Sequence, residues 1–100
     1  MDTAIIIPAR YQSTRFPGKP LINILGKSMI RRVWEQCEKA LPSTNIFVAT
    51  DSEKIKKHCL ENNIQVLLTS SDCLTGTDRV YEASKQIQAE TIINVQGDEP

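Results

Sequence analysis

Ala4-Ile5-Ile6-Ile7-Pro8-Ala9-Arg10 sets four consecutive apolar residues before a proline and a cation. An apolar run without polar alternation marks a strand covered on both faces, as in a parallel sheet. Pro8 ends it, and a loop rich in Arg, Ser, Pro and Gly continues to Pro20. Ser28 can cap a helix of about three turns to Ala40. Its Met29, Ile30, Val33, Trp34, Cys37 and Leu41 recur at helical spacing. After a turn at Pro42-Ser43-Thr44-Asn45, Ile46–Thr50 reads as a second buried strand. Asp51 or Ser52 caps a short helix with Ile55, Cys59 and Leu60 inward, closed by Asn62-Asn63. Ile64–Leu68 is a third strand and Ser70–Gly76 a loop. Thr75-x-x-Asp78 has the pattern of a capping box for a helix that places Val80, Ala83 and Ile87 on one face. Thr91–Val95 is a fourth strand, running into Gln96-Gly97-Asp98-Glu99-Pro100. The order β-α-β-α-β-α-β predicts an α/β fold: a parallel sheet with right-handed crossovers and helices on both faces.

The remaining composition is ordinary. The chain has 100 residues, 40% hydrophobic and 24% charged, which suits one domain or part of one and excludes collagen, coiled coil and disordered tail. Twelve Lys+Arg balance twelve Asp+Glu, whereas a general nucleic-acid binder is basic. The apolar runs, Ala4–Ile7 and Val66–Leu68 among them, fall far short of the roughly 20 residues of a membrane helix. Asp2 and the brief first apolar run do not make a secretory signal. Cys37, Cys59 and Cys73 are widely spaced, with no C-x-x-C and no Cys/His cluster. Reduced thiols in a cytoplasmic protein are therefore expected.

The neutral total hides an asymmetry. Residues 1–40 hold seven basic and three acidic groups, a net +4, and residues 41–100 a net −4. In open parallel sheets ligands bind beyond the carboxyl ends of the strands. Here those segments are 8–20, 50–51, 69–78 and 96–100. The first carries Arg10, Arg15 and Lys19 with no acid among them, the hydroxyls of Ser13 and Thr14, and Gly18. Forked guanidinium donors, a lysine point charge and backbone amides are what a polyphosphate requires. Neither a Walker A loop nor G-x-G-x-x-G is present. A solvated basic loop is the competing reading. Asp98 and Glu99 follow Gly97 at the end of the fourth strand. They could hold a hard cation such as Mg²⁺, which takes one or two carboxylates plus substrate phosphates, or they could simply form a turn. His58 in its lysine-rich helix, Trp34 on an apolar face and Cys73 without a neighbouring base read as structural or inert.

Several blocks together resemble the CMP-Kdo synthetase family, the 3-deoxy-manno-octulosonate cytidylyltransferases. They are Ile6-Ile7-Pro8-Ala9-Arg10-Tyr11-x-Ser13-Thr14-Arg15-Phe16-Pro17-Gly18-Lys19-Pro20-Leu21, Gly26-Lys27-x-Met29-Ile30, Val48-Ala49-Thr50-Asp51, Thr69, Thr75-Gly76-Thr77-Asp78-Arg79, and Asn94-Val95-Gln96-Gly97-Asp98-Glu99-Pro100. Cys73 and Asp78 depart slightly from the family pattern, the latter keeping a carboxylate where Glu is frequent. The resemblance implies a Rossmann-like nucleotide-diphospho-sugar transferase fold, and CMP transfer from CTP to the sugar acid Kdo for lipopolysaccharide synthesis by a cytoplasmic homodimer. It implies catalytic roles for Arg10, Arg15, Lys19 and Asp98, with Asp98 the Mg²⁺ ligand. It implies a nucleotide site of Pro8, Ala9, Arg10, Ser13, Thr14, Arg15, Lys19, Thr69, Gly76, Thr77, Arg79 and Gln96. Another sugar acid, 8-amino-Kdo or a sialic acid, is an alternative acceptor, and an inactive nucleotide-binding module an alternative role. Residues 1–100 are expected to be the N-terminal CTP-binding portion of one longer domain. The second metal carboxylate, the sugar-acid site and the dimer surface would lie beyond Pro100.

In the complete protein, Arg15→Ala and Lys19→Ala should each raise the CTP KM or lower kcat by about tenfold or more, the loss of one charge-assisted contact. Steady-state kinetics check this, and wild-type constants in both variants would remove the phosphate-cradle reading.

Overall fold

A computed structural model describes residues 1–11 and 17–96. Four parallel strands form its main sheet: β1 (Thr3–Pro8), β4 (Ile46–Thr50), β5 (Val66–Leu68) and β6 (Thr91–Asn94). Between β1 and β4 lie a two-residue-per-strand hairpin, β2 (Asn23–Ile24) with β3 (Lys27–Ser28), and helix α1 (Met29–Cys37). Helix α2 (Glu53–Glu61) joins β4 to β5, and α3 (Gly76–Ser84) joins β5 to β6. The sheet order is β5-β4-β1-β6. Ile5 pairs with Ile46 on one side of β1 and with Ile93 on the other.

The apolar run of β1 is covered on both faces. Ile5 and Ile7 join Ile30 and Val33 of α1 and Ile55 and Cys59 of α2 in one core cluster, while Ile6 joins Ala49 and Val80 and Ala83 of α3 in the other. Two crossovers move outward from β1 and the third returns past it to β6, so the direction in which strands are added reverses between β1 and β6. That is the topological switch point at which such sheets bind ligands.

Helix ends follow local chemistry. Ser28 Oγ accepts from the Arg31 amide at α1 and Ser52 Oγ from the Ile55 amide at α2. Thr75 Oγ1 accepts from the Asp78 amide at α3. Of the two candidate caps for α2, then, Ser52 serves and Asp51 does not. Helix α1 stops at Cys37 rather than Ala40. The next turn tightens, with the Lys39 amide on Gln36 O at 3.2 Å and the Ala40 amide on Cys37 O at 3.0 Å. After α2, Asn63 takes the left-handed conformation (φ 58), and the Ile64 and Asn63 amides bond Cys59 O and Leu60 O. This Schellman arrangement holds Ile64 in the core and delays the third strand to Val66. The fourth strand ends at Asn94, although the Val95 amide still reaches Ile6 O at 3.2 Å.

The hairpin at 23–28 was not expected. Leu25 (φ 52) and Gly26 (φ 91) are both left-handed, as a two-residue hairpin turn requires. Asn23 Oδ1 accepts from the Gly26 amide at 2.9 Å, and the Arg32 guanidinium of α1 donates to the carbonyls of Ile24 and Leu25. Lys27 Nζ lies 2.9 Å from Glu35 Oε1, so β3 is tied to α1. That ammonium, more than Arg31, holds the Glu35 carboxyl below the usual carboxylate range. His58 Nε2 lies 2.6 Å from Ser28 Oγ, so one hydroxyl caps α1 and joins α1 to α2.

Ser28→Ala should lower stability by about 1–2 kcal/mol, since it removes a cap and strips His58 of a partner; urea unfolding measures this. Acidification should erode stability as pH falls through the depressed pKa of Glu35, whose contribution is complete only above its unfolded-state value. In Glu35→Gln this part of the pH dependence should be gone from the melting curves.

Candidate nucleotide site

Beyond the carboxyl ends of β1 and β6 the structure opens a cavity of about 390 Å³. Pro8, Ala9 and Arg10 come from the end of β1, Lys19 and Pro20 from the short 3₁₀ turn at 19–21, and Gln96 from just beyond β6. Cys73, Leu74, Thr75 and Gly76 supply the facing wall, with Arg79 one turn into α3. Arg10, Lys19 and Arg79 are its cations, and no acidic residue is among the described lining residues.

Each part has a local cause. Ala9 is buried, its amide bonded to Ala49 O at 2.9 Å, so the backbone itself forms the floor. Gly18 (φ 75) donates its amide to Tyr11 O at 2.6 Å, drawing together the two flanks of the basic loop. A Cβ there would stand 3.0 Å from the Tyr11 ring, so only glycine fits the position without strain. Gly76 opens the far wall: a Cβ would lie 3.4 Å from both Pro8 Cγ and Gln96 Nε2. Being also the first residue of α3, it puts a helix N-terminus, favourable to anions, on the cavity rim.

Arg79 is 4% exposed. Its Nη1 donates to Thr69 Oγ1 and, at 3.4 Å, to Ser70 O, and stands 3.6 Å from Asp51 Oδ1. A buried guanidinium requires such partners. Asp51 was not among the site residues expected from the sequence, although it lies in the strand-end segment 50–51 and was read as a possible helix cap. A second cavity of about 400 Å³ adjoins the first, sharing Arg10, Cys73 and Arg79 and including Asp51 and Lys54. Among the thiols, burial pushes Cys59 up to about 12 and Cys37 upward, while Cys73 is half-buried beside Ser70 Oγ at 3.9 Å.

Of the residues expected at the site, Pro8, Ala9, Arg10, Lys19, Gly76, Arg79 and Gln96 line the first cavity, and Thr69 contacts it through Arg79. Thr77 is exposed on the first turn of α3 and does not line it. Ser13, Thr14, Arg15 and Asp98 lie outside the described residues. Among the described residues no three His, Cys, Asp or Glu side chains cluster as a metal site. No helix among them is long and apolar enough to cross a membrane.

Known proteins share this sequence and fold. The chain is 48% identical over 99 residues to a 3-deoxy-manno-octulosonate cytidylyltransferase of Protochlamydia amoebophila, covering 95% of the chain and 38% of that relative. It is 47% identical to the mitochondrial enzyme of the same name from Arabidopsis thaliana, over 95% of the chain and 33% of the relative. It is also 48% identical to an 8-amino-3,8-dideoxy-manno-octulosonate cytidylyltransferase of a Shewanella species, over 100% of the chain and 42% of that protein. Among solved structures, a CMP:2-keto-3-deoxy-manno-octonic acid synthetase complexed with CTP superposes with a TM-score of 0.94 at 39% identity, over 100% of this chain and 42% of that one. The chain thus spans about two fifths or less of the length of these relatives. The cytidylyltransferase family model matches residues 4–100, so the chain belongs to the cytidylyltransferase family.

Proposed function

We propose that this chain forms the CTP-binding part of an enzyme that transfers CMP from CTP to the anomeric hydroxyl of 3-deoxy-manno-octulosonate, releasing pyrophosphate. The observation that carries the reading is the lining of the switch-point cavity, free of acids among the described residues, where three cations and a helix N-terminus accompany a floor of Ala9 backbone. Ala9, Gly76 and Gln96 would surround the base and ribose, the missing side chain of Gly76 allowing close backbone approach. Arg10 and Lys19, joined by Arg15, would neutralise the triphosphate. The sugar hydroxyl attacks the α-phosphorus in line as its bond to the pyrophosphate oxygen breaks. No covalent enzyme intermediate is needed, so positioning and charge stabilisation by these residues supply the catalysis.

Asp98 would be the Mg²⁺ ligand. It lies two residues beyond Gln96 of the cavity wall, and a hard dication held mostly by phosphates needs no cluster of three acids. Bound there, the ion would offset charge on the phosphates. A cytoplasmic homodimer serving lipopolysaccharide synthesis completes the proposal. The Shewanella relative supports a second reading with 8-amino-Kdo as the acceptor.

Calorimetry on the complete protein should show CTP binding in preference to ATP and GTP, and pyrophosphate release should require CTP and a sugar acid together. A protein that binds no CTP would overturn the proposal, and comparison of Kdo with 8-amino-Kdo would separate the two acceptors. Asp98→Asn should retain the wild-type melting temperature and lose most Mg²⁺-dependent turnover. Gly76→Val should fold but weaken CTP binding by about tenfold or more, because its branches would occupy the space between Pro8 and Gln96.

A further inference from the structure

Asp51 stands apart from the residues that line the nucleotide cavity. Its neighbour Ser52 caps α2, leaving the Asp51 carboxylate uncommitted to the helix end. Among the described residues it is the one carboxylate within ion-pair distance of Arg79. That guanidinium, almost wholly buried, joins three elements. It projects from α3, pairs with the Asp51 carboxylate just beyond β4, and donates to Thr69 and Ser70 just beyond β5. The segment 70–75 is thereby held at both ends. Ser70 gives its carbonyl to Arg79 and its amide to Glu82 Oε2, and Thr75 caps α3. The same segment carries Cys73, Leu74 and Thr75 of the cavity wall.

We infer that Asp51 is a positioning residue: acting through Arg79, it sets the conformation of the 70–75 wall of the nucleotide cavity. Without the carboxylate, Arg79 would keep its charge in a buried position with no other carboxylate within ion-pair distance among the described residues. The cheapest relief for such a charge is to swing toward solvent, and Arg79 would then release Thr69 and Ser70 and loosen the wall. Arg10, Lys54 and Glu53 also line the adjoining cavity with Asp51; the first two are cations, and Glu53 makes no ion pair with Arg79, whose partner is Asp51. The link to nucleotide affinity rests on the CTP reading above, whereas the link to wall mobility does not.

The test is a double-mutant cycle in the complete protein: Asp51→Asn, Arg79→Gln and both together. Cys73 supplies a readout without nucleotide, since burial and raised pKa keep the Cys37 and Cys59 thiols unreactive. Iodoacetamide labelling of Cys73, followed by peptide mass spectrometry, should be about tenfold faster in each single variant and no faster in the double than in Arg79→Gln. The CTP KM should rise by about tenfold in Asp51→Asn, with kcat at saturating CTP changed by less than about threefold. Asp51→Glu should recover most of both effects. Unchanged Cys73 labelling in Asp51→Asn, or single-variant effects that multiply in the double, would overturn the inference. Failure of the wild-type protein to bind CTP would overturn the nucleotide reading alone, because Cys73 labelling still decides the role of Asp51.

Discussion

Everything in this chain depends on the need to bury β1 on both faces and pair it on both edges. Four apolar residues in succession cannot present one side to water, so helices must cover both sides. Right-handed crossovers then put α1 and α2 on one face, and the third connection must carry α3 to the other. The price of that reversal is a gap beyond the end of β1, where neighbouring connections diverge. Pro8 and Ala9, which terminate the strand, are therefore also the floor of the cavity. One short segment serves as core and as binding surface.

The cations around that gap are held in different ways. Arg10 is exposed and sits at the cavity mouth, suited to meeting a mobile anion. Arg79 is buried and tethered to Thr69, Ser70 and Asp51. A tethered side chain, its charge balanced by Asp51, needs less reorganisation than a mobile one when its surroundings change. The neutral total charge of the chain conveys none of this, because the acids and bases are segregated by loop.

The features written into contiguous sequence were legible. The uninterrupted run Ala4–Ile7 announced a parallel sheet, and Ser28, Thr75 and the Asn62-Asn63 pair announced helix ends with the chemistry the structure shows. The basic loop was visible as a cluster, and seven of the expected nucleotide residues do converge on one cavity. Features that depend on distant partners were not legible. The β2–β3 hairpin has only two residues per strand and a leucine in a left-handed turn position, held there by Arg32 of the following helix; no local propensity announces it. Asp51 looked like a cap because it precedes a helix, and its ion pair with Arg79, 28 positions away, exists only once α3 has folded over the sheet. His58 in a lysine-rich helix gave no sign of its bond to Ser28.

Trp34 is the only tryptophan in the chain. It packs against the core cluster that also gathers Tyr11 and Leu21, on either side of the basic loop, and its Nε1 is enclosed with no hydrogen-bond partner among the described residues. A half-buried indole whose Nε1 is shielded from water emits to the blue of a solvated one, and under tryptophan-selective excitation emission from this chain has a single source. Native fluorescence is thus a local gauge of the seat beneath the first loop, sensitive to water entering that part of the core before the sheet as a whole comes apart.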